Sequence, residues 1–390
     1  MNTALFFSTF LYLSYIGLEI KLINSLLGLW ALYLLLTIPK NALFYAGFFI
    51  GIFWFYWVSF SFIYYELIYL IPLVILGFAL GYGIIFYLTA LFDHIIFRAL
   101  ALFALSYFAP LGFNWLQIEL LFVHSYFGID KLDLFTLLLS LVLFTYYKYW
   151  AFILLIFPLT FAQPKPIENA LNIDMPQLNL PQKDKWKHKN TSAIIDTNLE
   201  FIDTAIQNGA DVVVLPETSF PLLLNKNQQL YELLQEKSNS IDIILGSLYE
   251  NKGEYHNSTY YFSNGNVEVG HKVVLVPFGE AIPLPEKIRD FINETFYNGA
   301  KDYTKANAPT DFDIKGVKFR NAICYETTTP EIFENLNGVK YMISISNNAW
   351  FTPSIEPTLQ KLLMQYYADL YRVTIYASAN GSKNQIIVPR

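Results

Sequence analysis

Between Met1 and Gln163 the chain carries only 11 charged residues, while the remaining 227 positions carry 47. Soluble domains run at roughly 25% charged residues, so the first part cannot present an ordinary water-facing surface. A helix needs about 20 mainly apolar residues to cross the roughly 30 Å hydrocarbon layer. Runs of that kind lie near residues 3–18, 22–38, 42–63, 67–92 and 95–109, and a longer one covers 132–162. The last, with Lys148 in its middle, suits two short helices joined at Tyr146-Tyr147-Lys148, for seven spans in all. One tilted helix with Lys148 facing the protein interior gives six instead.

The first run lacks a basic leader region and a small-residue cleavage site, so it reads as a retained helix. With seven spans and a cytoplasmic N-terminus, Lys40, Arg98 and Lys148 fall inside while Lys21 and Lys131 fall outside. This weak positive-inside bias puts everything after residue 163 on the outer face of the membrane, the periplasm of a Gram-negative cell. Between the fifth and sixth spans, Pro110–Gly128 mixes Trp115, Phe122 and Tyr126 with Glu119 and His124. Such aromatic-rich amphipathic stretches sit at the headgroup level, so an interfacial loop is expected there, with a lipid-guiding arm as the alternative.

The net charge of −6 is concentrated in the second part, and no basic stripe is present to neutralise phosphates, which argues against nucleic acid as a partner. Cys324 is the only cysteine, so the chain forms no internal disulfide. His188, His256 and His271 lack metal-ligand spacing, and neither a metal nor a cofactor is expected.

Composition shifts at Pro164-Lys-Pro166, a short stiff linker. Beyond it, strand-like runs (169–175, 211–215, 241–248, 317–324 and 340–346) alternate with helical patterns (193–208, 228–238, 357–371 and a stretch between the last two strands). A hairpin, 258–262 with 267–276, turns at Ser263-Asn-Gly-Asn266. Repeated strand–helix units predict a layered α/β domain over 164–390, after a transmembrane domain over 1–163.

Three motifs in the second domain each place a reactive side chain at or just after a buried strand, where ligand sites gather in α/β sheets. They are Val214-Leu-Pro-Glu217, His271-Lys272-Val-Val-Leu-Val-Pro-Phe-Gly-Glu280 and Asn321-Ala-Ile-Cys324-Tyr325-Glu326. Each alone is weak: a polar strand end, a solvated lysine or a small buried cysteine explains it better. Together, in the order Glu, Lys, Cys, they resemble the nitrilase (carbon-nitrogen hydrolase) superfamily from about Asn169 onward. With a multi-span membrane half in front, the chain resembles the apolipoprotein N-acyltransferase family. Further matches are Trp186 in Pro176–Trp186, Asn257-Ser258, Pro277-Phe-Gly-Glu280 and Ser344-Ile-Ser-Asn-Asn-Ala-Trp-Phe351.

The resemblance implies a multi-span helical membrane domain followed by a nitrilase-like αββα sandwich. It also implies an acyltransferase of lipoprotein biosynthesis in the bacterial inner membrane. Its donor would be a phospholipid such as phosphatidylethanolamine, and its acceptor a diacylated apolipoprotein. Catalysis would fall to Glu217 as proton carrier, Lys272 at the oxyanion and Cys324 as the acylated nucleophile. Glu280 would hold Lys272 charged and aimed, and Glu326 would be a further essential acid. Tyr325 and Trp186 would line or gate the pocket, and Asn348 and Trp350 would shape its rim. Set against the family pattern, the sequence up to Arg390 is expected to lack the C-terminal strands and the closing transmembrane helix. Two other readings stay open: a membrane-tethered amidase with water as acceptor, and a catalytically inactive lipid-binding protein.

Overall fold

A computed structural model of the 390-residue chain describes residues 1–164, 171–296, 299 and 302–390. The chain separates into two compact units. The first contains Met1–Pro110, Asn114–Gln163 and Pro353–Tyr366; the second contains Leu111–Phe113, Pro164–Thr352 and Tyr367–Arg390.

The first unit is helical. Its elements are α1 (Asn2–Tyr15), α2 (Lys21–Thr37), α3 (Lys40–Phe55), α4 (Ile71–Leu88), α5 (Ile95–Leu105) and α6 (Lys131–Tyr147). Among the described residues, four stretches, Lys40–Ile63, Ile68–Leu88, Ile95–Gly112 and Lys131–Ile156, are long and apolar enough to cross a bilayer. The 14-residue α1 and the 17-residue α2 are shorter than such a crossing usually requires. The 132–162 run breaks at Lys148, whose φ of +53° ends α6 and starts a 3₁₀ segment, Lys148–Ile156.

The Pro110–Gly128 stretch, expected as an interfacial loop, packs part of its length against the protein. Trp115, Phe122 and Glu119 are buried within the protein. Lys131 explains the buried acid: its ammonium lies 2.6 Å from Glu119 Oε1. Asn24 of α2 donates to the His124 carbonyl at 3.1 Å, which ties this stretch to the helices.

The second unit is a two-sheet sandwich. In chain order its elements begin with β1 (Ile173–Asp174), α7 (Gln182–Lys185), α8 (Thr191–Gln207), β2 (Val212–Val214) and β3 (Phe220–Leu223). α9 (Gln228–Lys237), β4 (Asp242–Asn251), β5 (Glu254–Ser263), β6 (Asn266–His271), α10 (Glu286–Phe296) and β7 (Asp311–Ile314) follow. The last are β8 (Val317–Ile323), β9 (Tyr341–Asn347), α11 (Glu356–Tyr371, which runs across the division between the units), β10 (Thr374–Asn380) and β11 (Gln385–Ile387). One sheet has the order β1-β2-β4-β5-β6, with β3 also on β4, and the other has β11-β10-β9-β8-β7.

Period-two alternation assigns the faces. Val212, Val214 and Ile244 pack against Phe319, Ile323, Ile343 and Ile345 of the other sheet. Val213, Leu215 and Ile243 point the opposite way, into a cluster with Ile202 and Ala205 of α8 and Leu230 and Leu234 of α9. The three consecutive valines of β2 are therefore buried on both faces, which is why no alternation is visible in them.

Several elements differ from the sequence reading. β6 stops at His271, because the amides of Val273 and Val274 turn to Glu326 instead of to a neighbouring strand. The helical stretch expected between β8 and β9 is two short 3₁₀ turns, Cys324–Thr328 and Pro330–Phe333. The β5–β6 turn falls where expected, as a two-residue Asn264-Gly265 loop with both φ angles positive, the geometry that matches strand twist. Residues 165–166 of the expected linker and 169–170 of the first expected strand lie outside the described residues.

Candidate active site

Glu217, Lys272 and Cys324 each follow a strand of the sandwich. Glu217 stands in the turn after β2, Lys272 directly after β6 and Cys324 directly after β8. β2 runs parallel to β4, and β8 runs parallel to β9, so the Glu217 and Cys324 turns lie at the carboxyl ends of parallel strands. Both turns use left-handed backbone, with φ of +47° at Thr218 and +56° at Cys324. A non-glycine residue is held there only when its surroundings over-determine it. At Cys324 they do: Thr327 Oγ1 donates to its carbonyl at 2.7 Å, and Glu326 Oε2 accepts the Ile323 N–H at 2.7 Å. Gly246 of β4 makes room for the Glu217 turn, since a Cβ there would lie 2.6 Å from both Glu217 Cα and Thr218 N.

A chain of polar contacts runs through the buried groups. Asn257 Nδ2 donates both to Glu217 Oε1 at 2.7 Å and to Glu280 Oε1 at 2.9 Å. Glu280 Oε2 lies 2.7 Å from Lys272 Nζ and accepts the Val276 N–H at 2.9 Å. Lys272 is fully buried; burial pulls its pKa down, but Glu280, Glu217, Cys324 and Glu326 together outweigh that and hold it above the ordinary lysine range. Its ammonium keeps its proton at any physiological pH. Asn257 was only a motif match in the sequence; here it couples the two carboxylates.

Glu326 is also fully buried and acts as a clamp. Oε1 accepts the amides of Val273 (2.5 Å) and Val274 (2.9 Å), while Oε2 accepts that of Ile323. It thus ties the segment carrying Lys272 to the turn carrying Cys324. Burial pushes its pKa up to about 7, against the opposing pull of Lys272 and the three amides.

The remaining candidates occupy different environments. Tyr325 is buried; its hydroxyl donates to the Gly112 carbonyl at 2.9 Å, and its ring is parallel to that of Phe113 with centroids 6.3 Å apart, both partners lying in the same unit. Trp186 is 48% exposed, so it is not a core-packing aromatic. Asn348 donates to Ser382 Oγ at 3.0 Å and is buried, whereas Trp350 is half-buried. Lys185, which no sequence signal singled out, is fully buried and donates to the Glu217 carbonyl at 3.0 Å. Among the described residues no cluster of His, Cys, Asp and Glu could hold a metal ion.

Two family models match the chain. Residues 1–164 match the apolipoprotein N-acyltransferase integral membrane domain, and residues 175–386 match the carbon-nitrogen hydrolase domain. Among curated relatives, the apolipoprotein N-acyltransferase of Wolinella succinogenes is 43% identical over 99% of this chain and 94% of its own length. That of Helicobacter hepaticus is 39% identical over 94% of each chain. That of Campylobacter jejuni is 33% identical over 99% of this chain and 88% of its own. A helical membrane domain, a carbon-nitrogen hydrolase sandwich and relatives matched along nearly their whole length agree: the chain belongs to the apolipoprotein N-acyltransferase family of bacterial membrane enzymes.

Proposed function

We propose that the protein moves an acyl chain from a phospholipid, through a thioester on Cys324, to the α-amine of a diacylglyceryl-cysteine apolipoprotein. The observation that carries this reading is the polar chain Glu217–Asn257–Glu280–Lys272, whose lysine end interacts electrostatically with Cys324, the only cysteine of the protein. Glu217 takes the thiol proton, and the sulfur attacks the ester carbonyl. Lys272 and the backbone N–H of Tyr325 stabilise the tetrahedral oxyanion. The carbon–oxygen bond then breaks, Glu217 returns the proton to the lysophospholipid alcohol, and a thioester remains. In the second half the incoming amine attacks the thioester and loses a proton to Glu217. The carbon–sulfur bond breaks, and the proton returns to sulfur.

Glu280 keeps Lys272 charged and aimed, and Glu326 fixes the distance between the Lys272 segment and the nucleophile turn. Trp186, exposed beside α7, and Tyr325, next to the nucleophile, are placed in this reading along the acyl path, with Asn348 and Trp350 at its rim. The weak positive-inside bias of the loops supports a periplasmic catalytic unit. Labelling of Cys324 in intact spheroplasts by a membrane-impermeant maleimide tests that orientation.

The decisive experiment incubates the full chain in phosphatidylethanolamine vesicles with a diacylated lipopeptide. The lipopeptide should gain one acyl chain, and Cys324 trapped without acceptor should carry a thioester by mass spectrometry. Release of free fatty acid or ammonia without lipopeptide acylation would favour the amidase reading. Absence of any adduct on folded protein would favour the inactive lipid-binding one.

A further inference from the structure

Lys185 is a fully buried lysine that the acyl-transfer scheme leaves unused. It ends α7, in a polar segment that would ordinarily be solvated. Residues of the second sheet fix that segment in place. Asn380 of β10 accepts the Leu180 N–H at 2.7 Å and donates to the Leu180 carbonyl at 2.9 Å. Asn347 of β9 donates to Gln182 Oε1 at 2.8 Å. The lysine is thereby carried inward, while its neighbour Asp184 stays outside, paired with Lys187 at 2.8 Å.

Among the described residues, Lys185 Nζ donates only to the Glu217 carbonyl, and no carboxylate forms an ion pair with it. Burying an ammonium without a contacting counter-charge costs several kcal/mol, and a Met or Leu would fill the volume without that cost. Lys272 is different, because Glu280 neutralises it at 2.7 Å. The ionisable groups acting on Lys185 are Glu217, in the turn after β2, and Cys324, in the turn after β8; burial outweighs both and brings its pKa down to about 7.

We infer that Lys185 is a positioning residue for the nucleophile: its ammonium balances the single negative charge that passes between Glu217 and Cys324. The inference rests on the reading of Glu217 as proton carrier and Cys324 as nucleophile. Lys272 and Glu280 are neutral as a pair, and Glu326 is held by the amides of Val273, Val274 and Ile323, so the couple that exchanges the proton is a thiol and a carboxylate, or a thiolate and a carboxylic acid. Either arrangement of this couple carries one negative charge, and Lys185 in its ammonium form compensates it in both. Without Lys185 the buried couple gains a proton most readily, leaving a thiol and a carboxylic acid, neither of which starts the reaction. Its hydrogen bond to the Glu217 backbone carbonyl ties the balancing charge to the turn that carries the base.

Because Cys324 is the only thiol, iodoacetamide alkylation of the full chain in detergent reads its ionisation directly. Lys185→Met should slow alkylation at pH 7 by about tenfold or more and move the alkylation midpoint up by about one pH unit, the two being the same change. Lys185→Gln, which keeps a donor for the Glu217 carbonyl without the charge, should behave like Lys185→Met, and it carries the test if Lys185→Met does not fold. Rates and midpoints in either folded variant that superimpose on wild type would overturn the inference. So would recovery of the wild-type profile by Lys185→Gln alone, which would assign the residue to its hydrogen bond. Failure of the underlying reading looks different: a Cys324→Ser protein would still acylate the lipopeptide.

Discussion

Glu280→Gln would leave the ammonium of Lys272 buried with its contacting counter-charge gone. In wild type the two groups are 2.7 Å apart, the lysine fully buried and the acid nearly so. Removing one partner of a buried pair costs about 3–5 kcal/mol, because the survivor is left as an uncompensated charge. The lower end applies here, since Glu217 and Glu326 still act on Lys272. The amide nitrogen replacing Oε2 would also face two donors, Lys272 Nζ and the Val276 N–H. A loss of about 3 kcal/mol is a large share of the roughly 5–15 kcal/mol that stabilises a domain. Hydrogen exchange of the slowest amides in β4, β5 and β9 measures it, because these report the opening of the whole sandwich. Adding Lys272→Met removes the stranded charge, so the double variant should recover to within about 1–2 kcal/mol of wild type. A single-variant loss below about 1 kcal/mol, or a double variant less stable than the single one, would refute the reasoning.

Four further outcomes are expected. Cys324→Ser and Glu217→Gln should each abolish lipopeptide acylation while leaving the circular dichroism spectrum unchanged, and acylation at the wild-type rate in either would remove that residue from the mechanism. Lys272→Arg should lose about 100-fold or more in single-turnover thioester formation, because a planar guanidinium cannot replace an ammonium point charge at the oxyanion. Glu326→Gln should slow thioester formation and increase amide exchange at Val273, Val274 and Ile323, since its –NH₂ cannot accept from all three donors it now serves. The fourth concerns pH. Burial and the neighbouring His256 lower the His271 pKa to about 4, so between roughly pH 6.5 and 4 the unfolded chain binds a proton that the folded chain does not. Stability should therefore fall as pH drops through that window, and chemical denaturation of His271→Asn at several pH values should show a shallower dependence.

Much of the fold was legible because its signals are local. The apolar runs in the first part, the helical patterns that became α8, α9 and α11, and the Asn264-Gly265 turn are written in consecutive residues. The end of β6 was not, because what stops it is a carboxylate 53 positions later in the chain. The contacts of the Pro110–Gly128 stretch were hidden for the same kind of reason. Its aromatic and charged residues have an interfacial composition, while the pairing of Glu119 with Lys131 and of the His124 carbonyl with Asn24 is set only in the folded chain. β3 went unseen because a four-residue strand containing Pro221 gives almost no pattern to read.

The candidate site divides along the same line. The sequence points to Glu217, Lys272 and Cys324 only through the order of three individually weak motifs and the family that this order resembles. It also separates a lipid-solvated part from a water-solvated one, since charge density is a property of composition. Tertiary structure alone decides what surrounds those residues. Asn257 bridges Glu217 and Glu280 because two hairpin strands bring it between them, and Lys185 is buried because Asn347 and Asn380, more than 160 residues away in the chain, pin its segment to the second sheet. A lysine between Asp184 and Trp186 reads as solvated in any local window. Burial and electrostatic coupling depend on distances through space, and only the folded chain sets those.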